Sequence, residues 1–219
     1  MADNYLEKRY EEVFGNAASG RTALSARASL DKLLLRNRSY RGYDKSYVVH
    51  KRQLDAIVAV NTKVASSMNL QRLRFLEVTR GPVADTVNRH IRMGRLLPEC
   101  NLPLPGTEPE AFIVVCATCD ENPGLDIDLG ISLQSMLLKA VDLGLGGVII
   151  RNFDKAELQA ALALELSPVA VLAIGKPVER IVLVPAHAGD SLAYYRSDGV
   201  HYVPKLELED ILVNPQLNP

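Results

Sequence analysis

Apolar residues recur at two different spacings along this chain, and the two spacings predict helices and strands. Apolar positions three or four residues apart predict helices over residues 4–14, 29–35, 50–65, 82–92 and 154–166. Continuous or alternating apolar runs predict strands near residues 73–78, 112–117, 148–150, 168–175 and 180–184. Because helices and strands interleave without a regular β-α-β rhythm, the expected fold class is α+β with one central sheet.

The most apolar helical segment opens near Asp126 and ends at Gly144. Apolar residues lie on nearly every face of this helix, so we expect it to be the central, buried one. Gly146 is interpreted as a glycine that allows neighbouring segments to pack closely, and not as part of a phosphate-binding loop. Further along, the pair Asp198-Gly199 separates two short apolar runs, at residues 192–195 and 200–203, which predicts a hairpin with a tight primed turn.

Composition narrows the class of protein. The 219 residues suffice for one sizeable domain or two small ones, and the apolar fraction of 47% argues against disorder. A formal net charge of -1 argues against a general nucleic-acid binder. No apolar run reaches the roughly 20 residues that span a bilayer. The N-terminus has neither the basic flank nor the apolar core of a secretory signal, so the expected location is the cytoplasm.

The cysteines and histidines suggest no metal site and no disulfide framework. The chain has three cysteines, Cys100, Cys116 and Cys119, and an odd number argues against a framework of paired disulfides. The spacing of Cys116 and Cys119 would suit a redox or metal pair, but Cys116 lies in a predicted buried strand, where cysteine commonly acts as a small apolar residue. The four histidines are scattered without metal-ligand spacing, and we assign them no role.

Positive charge is concentrated directly after the helix that Ser29 is predicted to cap. Residues 36–52 contain six lysines and arginines but one acid. Arg38, Ser39 and Arg41 together offer planar guanidinium donors and a hydroxyl, which match the oxygens of a phosphate group. A solvated basic helix end, attracted by the helix dipole, explains the same residues equally well. The segment alone leaves both interpretations open.

Five short blocks between residues 33 and 212 resemble, in order, those of the FMN-dependent nitroreductase family. Single blocks are weak signals, whereas five in the family's order form a strong one. The blocks are residues 38–43, 66–73, 128–146, 173–177 and 203–205.

The resemblance implies a single domain over residues 1–219, with a helical lead-in at 1–30 and an extension at 204–219. It also implies a nitroreductase-like fold, in which helices flank a central mixed or antiparallel sheet, and an interlocked homodimer with FMN at the interface. NADH or NADPH would be the electron donor, and a nitroaromatic, quinone or similar small molecule the acceptor. Flavin N5 would carry the chemistry, so no catalytic side chain is expected.

By the same resemblance, three groups of residues would bind FMN. Arg38, Ser39 and Lys205 would hold the phosphate, with Arg41 beside the flavin. Asn69 and Gln71 would contact the ribityl chain and pyrimidine edge, although side chains of this kind also commonly satisfy turn backbone. Backbone groups of Ile150, Arg151 and Asn152 would lie near N5.

The sequence departs from the family pattern at several of these positions. Asn37 replaces the first arginine of the opening block, and Arg72 and Leu73 replace the Pro-Trp pair of the second block. Arg151 and Glu207 alter the charge around the cofactor. These departures leave two alternatives open. One is a different flavin reduction, such as dehalogenation or ene reduction, and the other is a non-catalytic FMN-binding protein of the same fold.

Overall fold

The computed structural model describes residues 28–94, 96–97, 100 and 102–213. Its helices are α1 (Leu30–Arg36), α2 (Lys51–Val58), α3 (Pro82–His90), α4 (Pro123–Asp142), α5 (Lys155–Ala161) and α6 (Leu208–Ile211). Its strands are β1 (Leu73–Val78), β2 (Ala111–Ala117), β3 (Gly146–Ile150), β4 (Ser167–Gly175), β5 (Arg180–Ala186), β6 (Tyr195–Ser197) and β7 (Val200–Leu206). Short 3-10 helices at Ala59–Thr62 and Ser67–Asn69 follow α2.

A four-stranded sheet in the order β1-β2-β4-β3 forms the centre, and every neighbouring pair in it is antiparallel. Side chains of β2 alternate between two apolar clusters. Ile113 and Val115 pack in one cluster with residues of α2 and α4, while Phe112 and Val114 pack in the other with residues of α3 and α5. Helices therefore cover both faces of the sheet, which explains why β2 is buried along its whole length. The expected α+β class is confirmed.

A second, smaller sheet follows in the chain, with strand order β5-β7-β6, so the expectation of a single sheet is wrong. Strands β5 and β7 are parallel, whereas β6 and β7 form an antiparallel hairpin. The turn residues Asp198 and Gly199 have φ angles of 51° and 75°, the positive values that a primed turn requires. The predicted hairpin is confirmed, and its second strand extends as far as Leu206.

The long apolar helix α4 begins earlier and is less buried than the sequence suggests. Asn122 caps it by accepting a hydrogen bond from the backbone N–H of Leu125 at 3.1 Å. Its end is as predicted, since Gly144 follows with a φ of 75°. The expectation of burial on nearly every face is wrong for one face, because Ile127 is 62% exposed. None of the described helices, α4 included, is both long and apolar enough to cross a membrane.

Other helix ends differ from the predicted ones for local reasons. Ser29 and Asp154 cap α1 and α5 as expected. Helix α5 stops at Ala161 instead of residue 166, because Ala163 adopts a φ of 50° and the N–H of Leu164 reaches back to the carbonyl of Gln159 at 3.0 Å. The segments at 4–14 and 18–27, interpreted from the sequence as helical and irregular, lie outside the described residues.

Candidate functional site

The basic segment begins where α1 ends, and two of its side chains bind the open carbonyl groups of that helix end. Nη2 of Arg38 donates to the carbonyl oxygen of Leu34 at 2.6 Å. The hydroxyl of Tyr40 donates to the carbonyl oxygen of Arg36 at 3.0 Å. Because the last turn of a helix leaves its carbonyl groups without helical partners, these contacts hold the segment in place. Burial lowers the pKa of the Arg38 guanidinium.

Two tyrosines fix the same segment against the ends of β3 and β4. The backbone N–H of Tyr40 donates to the carbonyl oxygen of Gly147 at 3.1 Å, and its ring packs on Gly146. Tyr43 is 3% exposed, and its hydroxyl donates to the carbonyl oxygen of Tyr40 at 2.6 Å. A Cβ atom at Gly175 would lie 2.6 Å from the Tyr43 ring, so glycine is required there. The polar residues of the segment are thereby left to line a neighbouring cavity.

This cavity of about 360 Å³, which we call the arginine cavity, contains three cationic side chains. Among the described residues, no aspartate or glutamate lines it. Its lining residues are Leu34, Asn37, Arg38, Ser39, Arg41, Gln134, Ile181, Tyr194, His201, Val203 and Lys205. Fixed cations without a carboxylate create a positive field that attracts an anion. The structure thus brings together four residues that the sequence assigned to cofactor binding: Arg38, Ser39, Arg41 and Lys205.

One wall of the arginine cavity is the β6–β7 hairpin. The strand register pairs Arg196 directly with His201, and Tyr194 lies just before β6. The ring centroid of Tyr194 is 5.1 Å from that of His201 and 5.0 Å from the guanidinium carbon of Arg41. A guanidinium at this distance from an aromatic ring is held by a cation–π attraction.

His201 is buried in this wall, with 3% of its surface exposed. Burial, with the positive charges of Arg41 and Arg196, lowers the pKa of the imidazole to about 4. His201 is therefore neutral near pH 7 and adds no positive charge to the three cations of the arginine cavity.

Glu179 joins the basic segment to the hairpin. Its carboxylate accepts hydrogen bonds from the backbone N–H groups of Arg41 and Gly42, the second at 3.0 Å. It also forms an ion pair with Arg196, and its side chain is 9% exposed. A carboxylate so little exposed needs charged and N–H partners to offset its lost hydration. Glu179 therefore fixes the backbone at Arg41.

Asn69 and Gln71 lie elsewhere in the chain's fold. Gln71 lines a second cavity, of about 340 Å³, together with Ser132 of α4. Gln134, which lines the arginine cavity, follows Ser132 by two residues, and two residues turn an α-helix by about 200°. The two cavities consequently open on opposite sides of α4. Within one chain, Gln71 does not share a cavity with Arg38.

The loop that carries these two amides has an uncommon backbone. Met68, Asn69 and Gln71 have φ angles of 50°, 54° and 47°, which non-glycine residues rarely adopt. Oδ1 of Asp128 accepts the backbone N–H of Ser67 at 2.6 Å and so ties the loop to α4. Within the loop, Nε2 of Gln71 donates to Oδ1 of Asn69 at 3.2 Å.

Ile150 is the last residue of β3, Arg151 and Asn152 follow it, and none of the three lines the arginine cavity. Ile150 is 3% exposed and belongs to the apolar core. The guanidinium of Arg151 forms an ion pair with Glu121 at 2.8 Å, and the carbonyl oxygen of Asn152 accepts the backbone N–H of Arg92 at 2.9 Å. Their assignment to the flavin remains a prediction.

Several residues of the site were not identified from the sequence. Two of them, Arg196 and His201, could have been found from the predicted hairpin. A two-residue turn at 198–199 places these residues opposite each other on the paired strands. No sequence pattern indicated Glu179, because it lies 138 residues from Arg41 and the contact between them forms only in the fold.

The sequence model of the Nitroreductase family matches residues 34–176, and the chain belongs to this family. The match ends before β5, so the hairpin wall of the arginine cavity lies beyond it. No curated protein matches the chain.

Solved structures show the same fold. The FMN and NADPH-dependent nitroreductase NfnB from Sphigopyxis sp. strain HMH is 18% identical, with a TM-score of 0.57 over 69% of this chain and 89% of that one. A protein of Desulfovibrio desulfuricans, described as a nitroreductase in complex with FMN, is 23% identical, with a TM-score of 0.61 over 87% and 99%. A protein of Staphylococcus epidermidis ATCC 12228, described as an NAD(P)H:FMN oxidoreductase, is 18% identical, with a TM-score of 0.57 over 73% and 92%.

Proposed function

We propose that this protein is an FMN-dependent oxidoreductase that transfers hydride from NADH or NADPH to a nitroaromatic, quinone or similar small acceptor. The observation that carries the proposal is the arginine cavity, which contains three cations and no carboxylate among its described residues. FMN ends in a phosphate dianion, and guanidinium, ammonium and hydroxyl groups are the side chains that bind phosphate. The solved structures of this fold that are described with FMN support the choice of this ligand.

The hydrogen-bonding state of Arg38 fits a phosphate ligand. Nη2 of Arg38 is occupied by the carbonyl oxygen of Leu34, whereas its buried Nε–H has no partner among the described residues. A buried donor without an acceptor is unfavourable and is usually satisfied in the functional state. Arg38, Ser39 and Lys205 are the groups that would hold the phosphate.

Arg41 would tune the cofactor rather than anchor it. Its position is fixed by Glu179 through the backbone and by Tyr194 through the ring. A fixed cation beside the pyrimidine edge of a flavin favours the reduced, anionic form. FMN, when bound, supplies the hydride chemistry, so the side chains of this protein serve to bind, orient and set the local charge.

We further propose that the protein is a homodimer with interlocked subunits. Large apolar side chains on four separate elements are at least 60% exposed: Leu30, Leu35, Met68, Ile127, Leu208 and Ile211. Exposed apolar surface of this extent is typical of an interface. If Asn69 and Gln71 contact the cofactor, they would come from a second copy, because Gln71 lies on the far side of α4 from the arginine cavity within one chain.

The cysteines support a cytoplasmic location. Cys116 and Cys119 are free thiols, which is common in a reducing compartment. Burial raises the pKa of the Cys116 thiol, so this residue is unreactive.

Absorbance of the purified protein tests the proposal directly. After incubation with FMN and removal of free flavin, we expect a yellow protein whose flavin bands bleach when NADH or NADPH is added without oxygen. Light scattering after size-exclusion chromatography should give twice the 24.0 kDa of one chain. Absorbance that stays at the baseline after incubation with FMN would contradict the cofactor assignment.

The same experiment separates the alternatives. Bound flavin that neither nicotinamide reduces would favour a non-catalytic FMN-binding protein. Bleaching followed by reoxidation with a halogenated or enone compound, but not with a nitroaromatic or quinone, would favour a different flavin reduction.

A further inference from the structure

His201 has a structural setting that the proposed function does not explain. It lines the arginine cavity with 3% of its surface exposed, and its buried Nδ1 has no hydrogen-bond partner among the described residues. Its one ring contact in this part of the chain is the tilted Tyr194 ring. Buried polar atoms without partners are rare in folded proteins and call for a ligand or a functional reason.

The charges around His201 are mostly positive. Arg41 faces it from the basic segment, Arg196 from β6, and Arg38 and Lys205 line the same cavity. The carboxylate of Glu179 already forms an ion pair with Arg196 and accepts hydrogen bonds from two backbone N–H groups. Positive neighbours and burial keep the pKa of this imidazole at about 4, so it is neutral while the cavity contains no anion.

An anion entering the cavity would reverse this balance. A dianion offsets the charges of the arginines and offers an acceptor to the imidazole, and both effects favour a protonated histidine. We propose that His201 is a ligand of the anion bound in the arginine cavity and that it takes up a proton from solvent when a dianion enters. The identification of that anion with the FMN phosphate rests on the proposed function, but proton uptake with a simple dianion does not.

The proton uptake can be measured without flavin. The probe is sulfate, whose double charge does not titrate over the range of the experiment, compared with chloride at equal ionic strength. In NMR titrations, the ring signals of the four histidines report their midpoints, and His201→Leu assigns the signal of interest. In chloride we expect a midpoint near 4 for His201. In saturating sulfate the midpoint should rise by about one unit or more, while that of His187, which does not line the cavity, stays unchanged.

A midpoint of His201 that does not move with sulfate would overturn the inference, whether or not FMN binds. A sulfate shift in a protein that binds no FMN would retain the role of His201 and overturn the cofactor assignment. The two proposals therefore fail separately.

Flavin affinity provides the second test. His201→Leu should weaken FMN binding by roughly tenfold, because one charge-assisted hydrogen bond to the phosphate is lost. Binding of riboflavin, which lacks the phosphate, should be unchanged. The matched control is His187→Leu, which alters an exposed ion pair with Asp210 and should shift FMN affinity by less than about twofold. Equal losses for FMN and riboflavin, or no loss for FMN, would contradict a phosphate contact.

Discussion

The ring of Tyr40 lies so close to Gly146 that a Cβ atom at this glycine would be 2.5 Å from Cδ2 of the tyrosine. The contact joins the basic segment to the start of β3, beside the hydrogen bond from Tyr40 to Gly147. Since Tyr40 lies between Ser39 and Arg41, which both line the arginine cavity, the position of these two residues depends on a glycine.

Gly146→Ala should therefore destabilise the protein by about 1–3 kcal/mol, because the tyrosine ring cannot move without displacing the basic segment. Urea denaturation followed by circular dichroism measures the change. In a Tyr40→Ala background the same substitution should have a smaller effect, since both clashes with the tyrosine ring are absent and only the contact with Cγ of Pro177 at 2.7 Å remains. Strictly additive effects would show that the contact does not limit this position.

Arg38→Ala should weaken FMN binding by about 1.5–3 kcal/mol, roughly tenfold or more, through loss of a charge-assisted phosphate contact. The matched control is Arg36→Ala, two residues earlier, whose exposed side chain does not line the arginine cavity. Its effect should stay within about 0.5 kcal/mol. Fluorescence titration of FMN measures both affinities, and similar losses in the two variants would point to a general charge effect instead of a specific contact.

Glu179→Gln should destabilise the protein by about 3 kcal/mol, because it leaves the poorly exposed guanidinium of Arg196 without its counter-charge. Glu121→Gln is the surface control. Glu121 pairs with Arg151 and Lys155, but its side chain is 40% exposed, so about 0–1 kcal/mol is expected. Thermal and urea unfolding compare the two, and a similar loss in both would mean that Glu179 is solvated in solution.

Stability should depend on pH through His201. The folded-state pKa is about 4, below the ordinary value, so the unfolded chain binds more protons in the interval between them. The stabilisation is fully present above about pH 6.5 and is lost as the pH falls toward the folded value, by about 2 kcal/mol at pH 5. Urea denaturation of the wild type and His201→Leu, both in chloride, should show a steeper loss in the wild type. Parallel curves would contradict the buried, neutral state of His201.

Asp128→Ala should release the loop at residues 66–71 from α4. Its carboxylate accepts the N–H of Ser67 and holds a backbone with three positive φ angles, so about 1–3 kcal/mol of stability should be lost. If Asn69 and Gln71 contact FMN across a dimer interface, FMN affinity should fall as well. Asp126→Ala is the control for stability, because it removes only an exposed ion pair with Arg151 at 3.4 Å and should cost less than about 1 kcal/mol. Unchanged FMN affinity in Asp128→Ala would remove the loop from the site.

Much of the fold follows from local sequence pattern. The strand at Ala111–Ala117 and the hairpin turn at 198–199 were predictable because a continuous apolar run and an Asp-Gly pair act through local backbone preferences. The end of α5 was not, because Ala163 has no intrinsic preference for a positive φ, and tertiary contacts override propensity there.

The sequence by itself determined the family. It also indicated one candidate phosphate-binding segment, because Arg38, Ser39 and Arg41 lie close together in the chain and carry groups that match phosphate oxygens. Only the tertiary structure decided what completes that segment. His201 and Glu179 lie more than a hundred positions further along the chain, and strand register and burial, which depend on the whole fold, bring them to the segment. The tertiary structure alone also shows that Gln71 lies apart from the arginine cavity. The two are on opposite sides of helix α4.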